Sequence, residues 1–540
     1  MDMILLNGNL MTMDGNRPSA EAAAIDQGRF ASVGSRDEVL ALKDHRTEVI
    51  DLKGKTVLPG FNDSHLHLLN YGLSLQRLDC SQATSVDEVV AAGQRYLEEH
   101  QVSPGEWLLG RGWNSLSLKE GRDLNRYDLD RISTRHPICL TRVCEHVVAV
   151  NTRAMELAGM TAESPQPAGG FIDREPEGRP LGIFRENARY LIYACIPDPP
   201  LSQIKDILRQ AAGICAGYGI TSIQSDDFEA LYSKDYHLVL KAYGELSSSR
   251  SLPVRVYEQC LLPEISRLEQ FLAEGWCTGR GDDYFKIGPL KLLTDGSLGA
   301  RTALLSEPYA DDPVNKGIAV FSQQELNRLV LTAHRQGMQV ALHAIGDAAM
   351  TMCFDSFDYA QHHHYREDPR FGIIHLQITT EDLLERFAAA GVIAYAEPIS
   401  LNNDLHMVED RVGTQRAVHT YQYRRLVDVG VPVCLSTDCP VDSINPLKNI
   451  YTAVTRQDER GFPAGGWLPE QKLTLQQALS AYTMGSAYAS FEETIKGSIT
   501  PGKLADMAVL SEDPCRVPPS ELQHISVDMT LMGGQLVYRR

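Results

Sequence analysis

The chain has 540 residues, 43 % of them apolar and 22 % charged, which suits a globular enzyme built as two or three domains or as one large barrel with additions. Its 70 acidic and 51 basic residues leave a formal net charge of −19, a field that opposes nonspecific nucleic-acid binding and adsorption to anionic membranes. No stretch approaches a membrane span, the apolar run Met3–Leu6 is too short for a signal segment, and the 11 scattered cysteines read as reduced thiols, so a cytoplasmic location is expected.

Residues 1–59 read as short strands. Met3 to Met13, Ala22 to Val33 and Glu48 to Val57 are broken by the turn steps Asn7-Gly8, Asp14-Gly15, Gln27-Gly28 and Lys53-Gly54. The middle of the chain has a different rhythm of helix, glycine and buried strand. Residues 205–218 lead through Gly219 into Ile220 to Gln224. Ser322-Gln323-Gln324-Glu325 is a capping box, after which Leu326, Leu329, Val330 and Ala333 share one helix face; Gly337 ends that helix and Gln339 to His343 follows as a strand. Thr379 to Asp382 opens the next helix, Gly391 stops it, and Val392 to Ala396 is a strand. Tyr421 to Val429, Gly430 and Val431 to Ser436 repeat the unit. Ala505 to Leu510 and Val527 to Tyr538, around Gly533-Gly534, return to the texture of the first residues.

Eight strand candidates begin near Val57, Ile220, Pro253, Phe285, Gln339, Phe371, Val392 and Pro432. The predicted fold is therefore α/β: a (β/α)8 TIM-like barrel over 60–496, with a small β-sandwich domain built from both chain ends, 1–59 plus 497–540. About 150 residues separate the first two barrel strands, more than one crossover needs, so an inserted subdomain is expected at about 81–205.

Four apolar runs end in metal-ligand residues: His65-Leu66-His67, His343, His375 and Asp438. On extended backbone, residues i and i+2 point the same way, so His65 and His67 can reach one ion. A parallel barrel delivers strand-end side chains to one face, and three or four His plus an Asp can hold a divalent metal, most naturally zinc, with a position open for water. Lys291 stands in an apolar strand, which is costly unless the amine is paired, for example with Asp295, or chemically altered. Trp113 reads either as a pocket wall or as a buried structural indole. Cys434 and Cys439 lack CxxC spacing and read as packing residues.

These residues carry a resemblance that runs over nearly the whole chain. Pro59-Gly60-Phe61-Asn62-Asp63-Ser64-His65-Leu66-His67, Asp295-Gly296-Ser297-Leu298-Gly299-Ala300-Arg301-Thr302-Ala303, His343-Ala344-Ile345-Gly346-Asp347, Ser436-Thr437-Asp438 and Gly497 through Asp506 resemble the amidohydrolase superfamily. The resemblance is to its amidohydrolase family 3 branch, of the YtcJ and N-substituted formamide deformylase type. It implies that His65, His67 and Asp438 bind the more buried metal and that His343 and His375 bind a second. It further implies that Lys291, carboxylated by CO2, bridges the two as a carbamate; a single-metal site is the other expectation. Glu145-His146-Val147-Val148-Ala149-Val150-Asn151 resembles a segment that places a histidine over the site, although Cys144-Glu145 stands where Asp-Gly is usual. Glu397-Pro398 replaces a more usual Gln-Pro, and the extra carboxylate is expected to favour an amine-bearing substrate.

The function these residues permit is metal-dependent hydrolysis of a C–N bond (amide, N-formyl or cyclic amide) in a small molecule by a metal-activated hydroxide. Zinc lowers the pKa of water from 15.7 to about 7, worth roughly 12 kcal/mol. Asp438 is expected to shuttle the proton, and His146 or Arg301 to steady the oxyanion, which makes Trp113, His146, Arg301 and Glu397 the candidate substrate contacts. The alternative is a mononuclear deaminase of an aminated ring, disfavoured because no Glu follows His343 closely. A non-catalytic scaffold is disfavoured because every ligand position is kept, and a serine hydrolase because no GxSxG occurs. A homodimer is the default expectation for the assembly.

Overall fold

The computed structural model describes residues 1–144 and 146–540, which divide into two compact units. The larger comprises Met1–Tyr71, Leu201–Phe228 and Tyr236–Arg540. Its centre is an eight-stranded sheet in which every ladder is parallel. The strands are β1 (Phe61–Leu66), β2 (Ile220–Ser225), β3 (Arg255–Leu261), β4 (Phe285–Leu293), β5 (Val340–Ala344), β6 (Gly372–His375), β7 (Ile393–Ala396) and β8 (Val433–Leu435). They lie side by side in chain order, the arrangement of a TIM-like barrel. The seam between β1 and β8 is stitched by side chains and loops: Ser64 Oγ donates to Leu435 O at 2.8 Å, and Thr437 Oγ1 to Asp63 Oδ2 at 2.7 Å.

The helices between strands start where the sequence provides caps. Ser322 and Glu325 form a reciprocal capping box on helix Gln323–Arg335, and Thr380 caps Glu381–Ala390, which ends on Gly391 in the left-handed region (φ 61°). Buried residues such as Leu326, Leu329, Val330 and Ala333 form the inner face of the first of these helices.

The first barrel strand begins at Phe61, not near Val57. Thr56–Pro59 belongs to another sheet, where Val57 pairs with Val509 and Leu58 with Ala508. Gly60 carries the chain between the two, and a Cβ there would lie 2.1 Å from Thr221 Oγ1, so no larger residue fits. That other sheet has six strands and joins three from each end of the chain side by side, in the order Gln535–Arg539, Val527–Met532, Met507–Leu510, Thr56–Pro59, Asn9–Met11, Ser19–Ala20. A four-stranded sheet from Arg29–Gly34, Ala22–Asp26, Met3–Leu6 and Glu48–Asp51 shares its core, which includes Leu5, Ile25, Phe30, Val57, Val509 and Leu531. Arg255 on β3 ties the barrel to this region through a buried two-point pair with Asp506, at 2.7 and 2.9 Å.

The smaller unit comprises Gly72–Pro200 and Glu229–Asp235. It has a six-stranded mixed sheet, in the order Gly170–Arg174, Pro180–Glu186, Val147–Val150, Ile138–Arg142, Leu108–Trp113, Leu78–Asp79, and apolar cores of its own. Among the described residues no helix is long and apolar enough to cross a membrane. All 11 cysteines are free, and Cys434 and Cys439 are buried packing residues.

Candidate functional site

The C-terminal ends of β1, β4, β5, β6 and β8 bring His65, His67, Lys291, His343, His375 and Asp438 to one end of the barrel. Asp438 lies three residues beyond β8, where its N–H donates to His65 O at 2.9 Å and His67 N–H donates to Cys439 O at 2.8 Å. The Asp438 loop is thereby sewn to the histidine pair. Asp438 (φ 53°) and His375 (φ 77°) both occupy the left-handed region, a strained conformation for non-glycine residues that persists where the surroundings enforce it.

The ring tautomers follow from the outer partners. Gln259 Nε2 donates to Ser64 O at 3.0 Å, so its Oε1 faces His65 Nδ1 at 2.6 Å and accepts from it. Asp226 O can only accept, and it lies 2.9 Å from His67 Nδ1. Both rings therefore turn Nε2 inward, to 3.4 Å (His65) and 3.1 Å (His67) from Asp438 Oδ1. His343 is turned the other way: Nε2 faces Gly296 O at 3.1 Å and Asp295 Oδ1 at 3.2 Å, which leaves Nδ1 as its free acceptor. The His343 and His375 rings are in edge contact, with centroids 4.4 Å apart.

Burial, and then the neighbouring Lys291, push His65 down to about 3. Burial also opposes charge on His67, but contact with the Asp438 carboxylate outweighs it and carries the ring up to about 9. For Asp438 burial opposes the charged form, yet its two imidazole contacts hold it well below the usual carboxylate range. Burial lowers Lys291, although the carboxylates of Asp226, Asp438 and Glu397 resist that. These opposed shifts share one cause, the close packing of His65, His67, Lys291 and Asp438 in a buried site.

The donor chemistry fits a divalent metal. One oxygen or nitrogen each from His65, His67 and Asp438 lie within 4.8 Å of one another, and so do those of His65, His375 and Glu397. Imidazole and carboxylate donors with fixed outer partners suit zinc and its neighbours.

The model of the amidohydrolase family matches residues 48–538. The chain belongs to the amidohydrolase family. This amidohydrolase is 32 % identical to YtcJ of Bacillus subtilis (strain 168) over 544 residues, covering 100 % of both chains. It is 27 % identical to N-substituted formamide deformylase of Arthrobacter pascens, covering 100 % of this chain and 98 % of the relative. The crystal structure of an uncharacterized metal-dependent hydrolase from Pyrococcus horikoshii OT3 matches with a TM-score of 0.80 and 28 % identity, over 96 % of this amidohydrolase and 99 % of that chain.

Four sequence-predicted residues already have partners of their own. Trp113 is not a pocket wall: it is fully buried among Leu108, Leu140, Ile138 and their neighbours, and its indole N–H donates to Leu140 O at 2.8 Å. Trp113→Phe is expected to cost about 1–2 kcal/mol of stability through the lost hydrogen bond and a small cavity, and to leave KM unchanged. Urea unfolding and steady-state kinetics check both parts. Arg301 spends its guanidinium on Asp311, at 2.7 and 3.0 Å, and Arg411 shares that carboxylate. His146 is exposed and pairs through Nδ1 with Glu186 at 2.8 Å; Glu145 before it lies outside the described residues. Glu397 is only 2 % exposed and contacts His375, so it is not a free carboxylate awaiting an amine.

Of the pairing partners expected for Lys291, Asp295 or a neighbouring carboxylate, the second holds: Asp226 Oδ2 lies 3.9 Å from its amine. Asp295 instead accepts from the backbone of Leu304, Ile345 and Gly346, bracing the loops beside His343. Asp226 follows β2 as Asp438 follows β8, so the strand-end pattern contained a signal for it. Gln259, a neutral amide inside β3, had none.

Proposed function

We propose that this amidohydrolase is a metal-dependent hydrolase of a C–N bond in a small molecule, an amide, N-formyl amine or cyclic amide. The observation that carries the reading is the convergence of two imidazole Nε2 atoms on Asp438 Oδ1 with the outer nitrogen of each ring already committed. The similarity to N-substituted formamide deformylase and to a metal-dependent hydrolase of known structure supports it. A divalent ion, zinc by donor type, supplies Lewis acidity and lowers the pKa of a water towards 7.

His65, His67 and Asp438 would hold that ion, and His343 and His375 would supply the ligands of a second one. Lys291, whose buried amine is pressed towards its neutral form, would be suited to capture CO2 and, as a carbamate, to supply oxygen ligands to the metal centre. Asp438 accepts the proton of the attacking water and passes it to the leaving nitrogen. Asp347, the first carboxylate after His343, is occupied by the Ser306 N–H at 2.9 Å and by its hydroxyl, which supports amide hydrolysis over ring deamination.

A panel of N-formyl and N-acyl amines, cyclic amides and aminated heterocycles tests the reading. Release of amine from the formyl or acyl compounds, abolished by a chelator and restored by zinc, is the expected result. Ammonia release from the heterocycles alone would replace this reading with deamination.

A further inference from the structure

Each imidazole at this end of the barrel has an outer acceptor. For His65 it is an amide oxygen, and for His67 and His343 it is a backbone carbonyl. His375 differs. Its Nδ1 lies 2.5 Å from Glu397 Oε2, and both residues are buried. Glu397 is itself held: it is the first residue after β7, Ser436 Oγ donates to its Oε1 at 3.2 Å, and the following turn is pinned by Ile399 N–H donating to Asn449 Oδ1 at 2.9 Å.

We infer that Glu397 is the positioning partner of His375: its Oε2 accepts the hydrogen bond from Nδ1–H, fixes the ring, and leaves Nε2 to face a metal. The inference rests on the reading of His375 as a metal ligand. The geometry separates this role from direct ligation. Two donors bound to one tetrahedral ion at about 2.0–2.1 Å stand roughly 3.3 Å apart. The His375–Glu397 contact is shorter than that spacing and is a direct hydrogen bond between ring and carboxyl group, with no room for an ion bound to both atoms. A hydrogen-bonded acceptor behind an imidazole fixes its tautomer and its orientation towards an ion. It also explains how a buried acid is tolerated at the end of β7: it acts on the metal through a ring instead of on substrate.

The test uses the full-length protein with zinc and cobalt as probes. Zinc affinity is measured by competition with a chromophoric chelator, and ligand geometry by the visible spectrum of the cobalt form, for wild type, Glu397→Gln, Glu397→Ala and His375→Ala. Glu397→Ala is expected to weaken zinc binding about 10- to 100-fold. Glu397→Gln keeps an oxygen acceptor for Nδ1 and is expected to recover most of that loss, with a cobalt spectrum close to wild type. Unchanged affinity and spectrum in Glu397→Ala would overturn the inference. So would a Glu397→Gln protein that binds as weakly as Glu397→Ala with a spectrum altered as in a ligand loss, which would make the carboxylate itself a ligand. If His375→Ala binds zinc like wild type, the ligand reading of His375 fails first and takes the inference with it. Far-UV circular dichroism of the near-isosteric Gln variant controls for folding.

Discussion

Asp438→Asn is expected to lower kcat/KM by about 10³-fold or more on any substrate found by the amide panel, with the fold unchanged. The side chain keeps its shape, and the backbone bond from Asp438 N–H to His65 O at 2.9 Å remains. The substitution removes the charge that Oδ1 directs at His65 and His67, and it removes the site that accepts a proton from the attacking water. Because that proton moves only during reaction, the loss falls on kcat more than on KM. Steady-state kinetics beside thermal unfolding measure it, and a rate within tenfold of wild type would remove Asp438 from the proton path.

The second large effect is at Lys291, which is 1 % exposed, with its amine 3.1 Å from His65 Nε2 and 3.9 Å from Asp226 Oδ2. An ordinary buried ammonium would add positive charge to a site meant for cations and so oppose metal binding. A carbamate on the same amine reverses the sign. Lys291→Ala is therefore expected to lose bound metal and to drop kcat/KM by about 10²-fold or more. Acetate or propionate, which can occupy the space of the missing side chain and return a carboxylate, is expected to restore part of the rate. Wild-type metal content and rate in Lys291→Ala would show the lysine to be a bystander.

The parts of this account legible in the sequence are those whose signal is local. A strand end followed by His, or by Ser-Thr-Asp, marks the ligand positions because a parallel barrel sends all its strand ends to one face. A Ser or Thr cap and a closing glycine bracket the helices for equally local reasons. What was not legible depends on distant packing. Thr56–Pro59 reads like the start of a barrel strand, and only its pairing with Met507–Leu510, far along the chain, assigns it to another sheet. Gln259 becomes the partner of His65 only through the register of β3 beside β2 and β1. Trp113 could be read as a pocket wall or as a structural indole, and Glu397 was read as a substrate contact because it stands where a Gln is more usual. Burial and a committed partner for each, Leu140 O and His375 Nδ1, give them other work.

The most direct test of the central claim is the divalent metal content per chain of protein purified without chelators, in wild type and in the His65→Ala/His67→Ala double variant. The account predicts about one to two ions per chain in wild type, the higher figure when bicarbonate is supplied during expression, and loss of metal and activity together in the double variant. Wild-type protein that hydrolyses its substrate without bound metal, or a double variant that keeps both metal and activity, would contradict it.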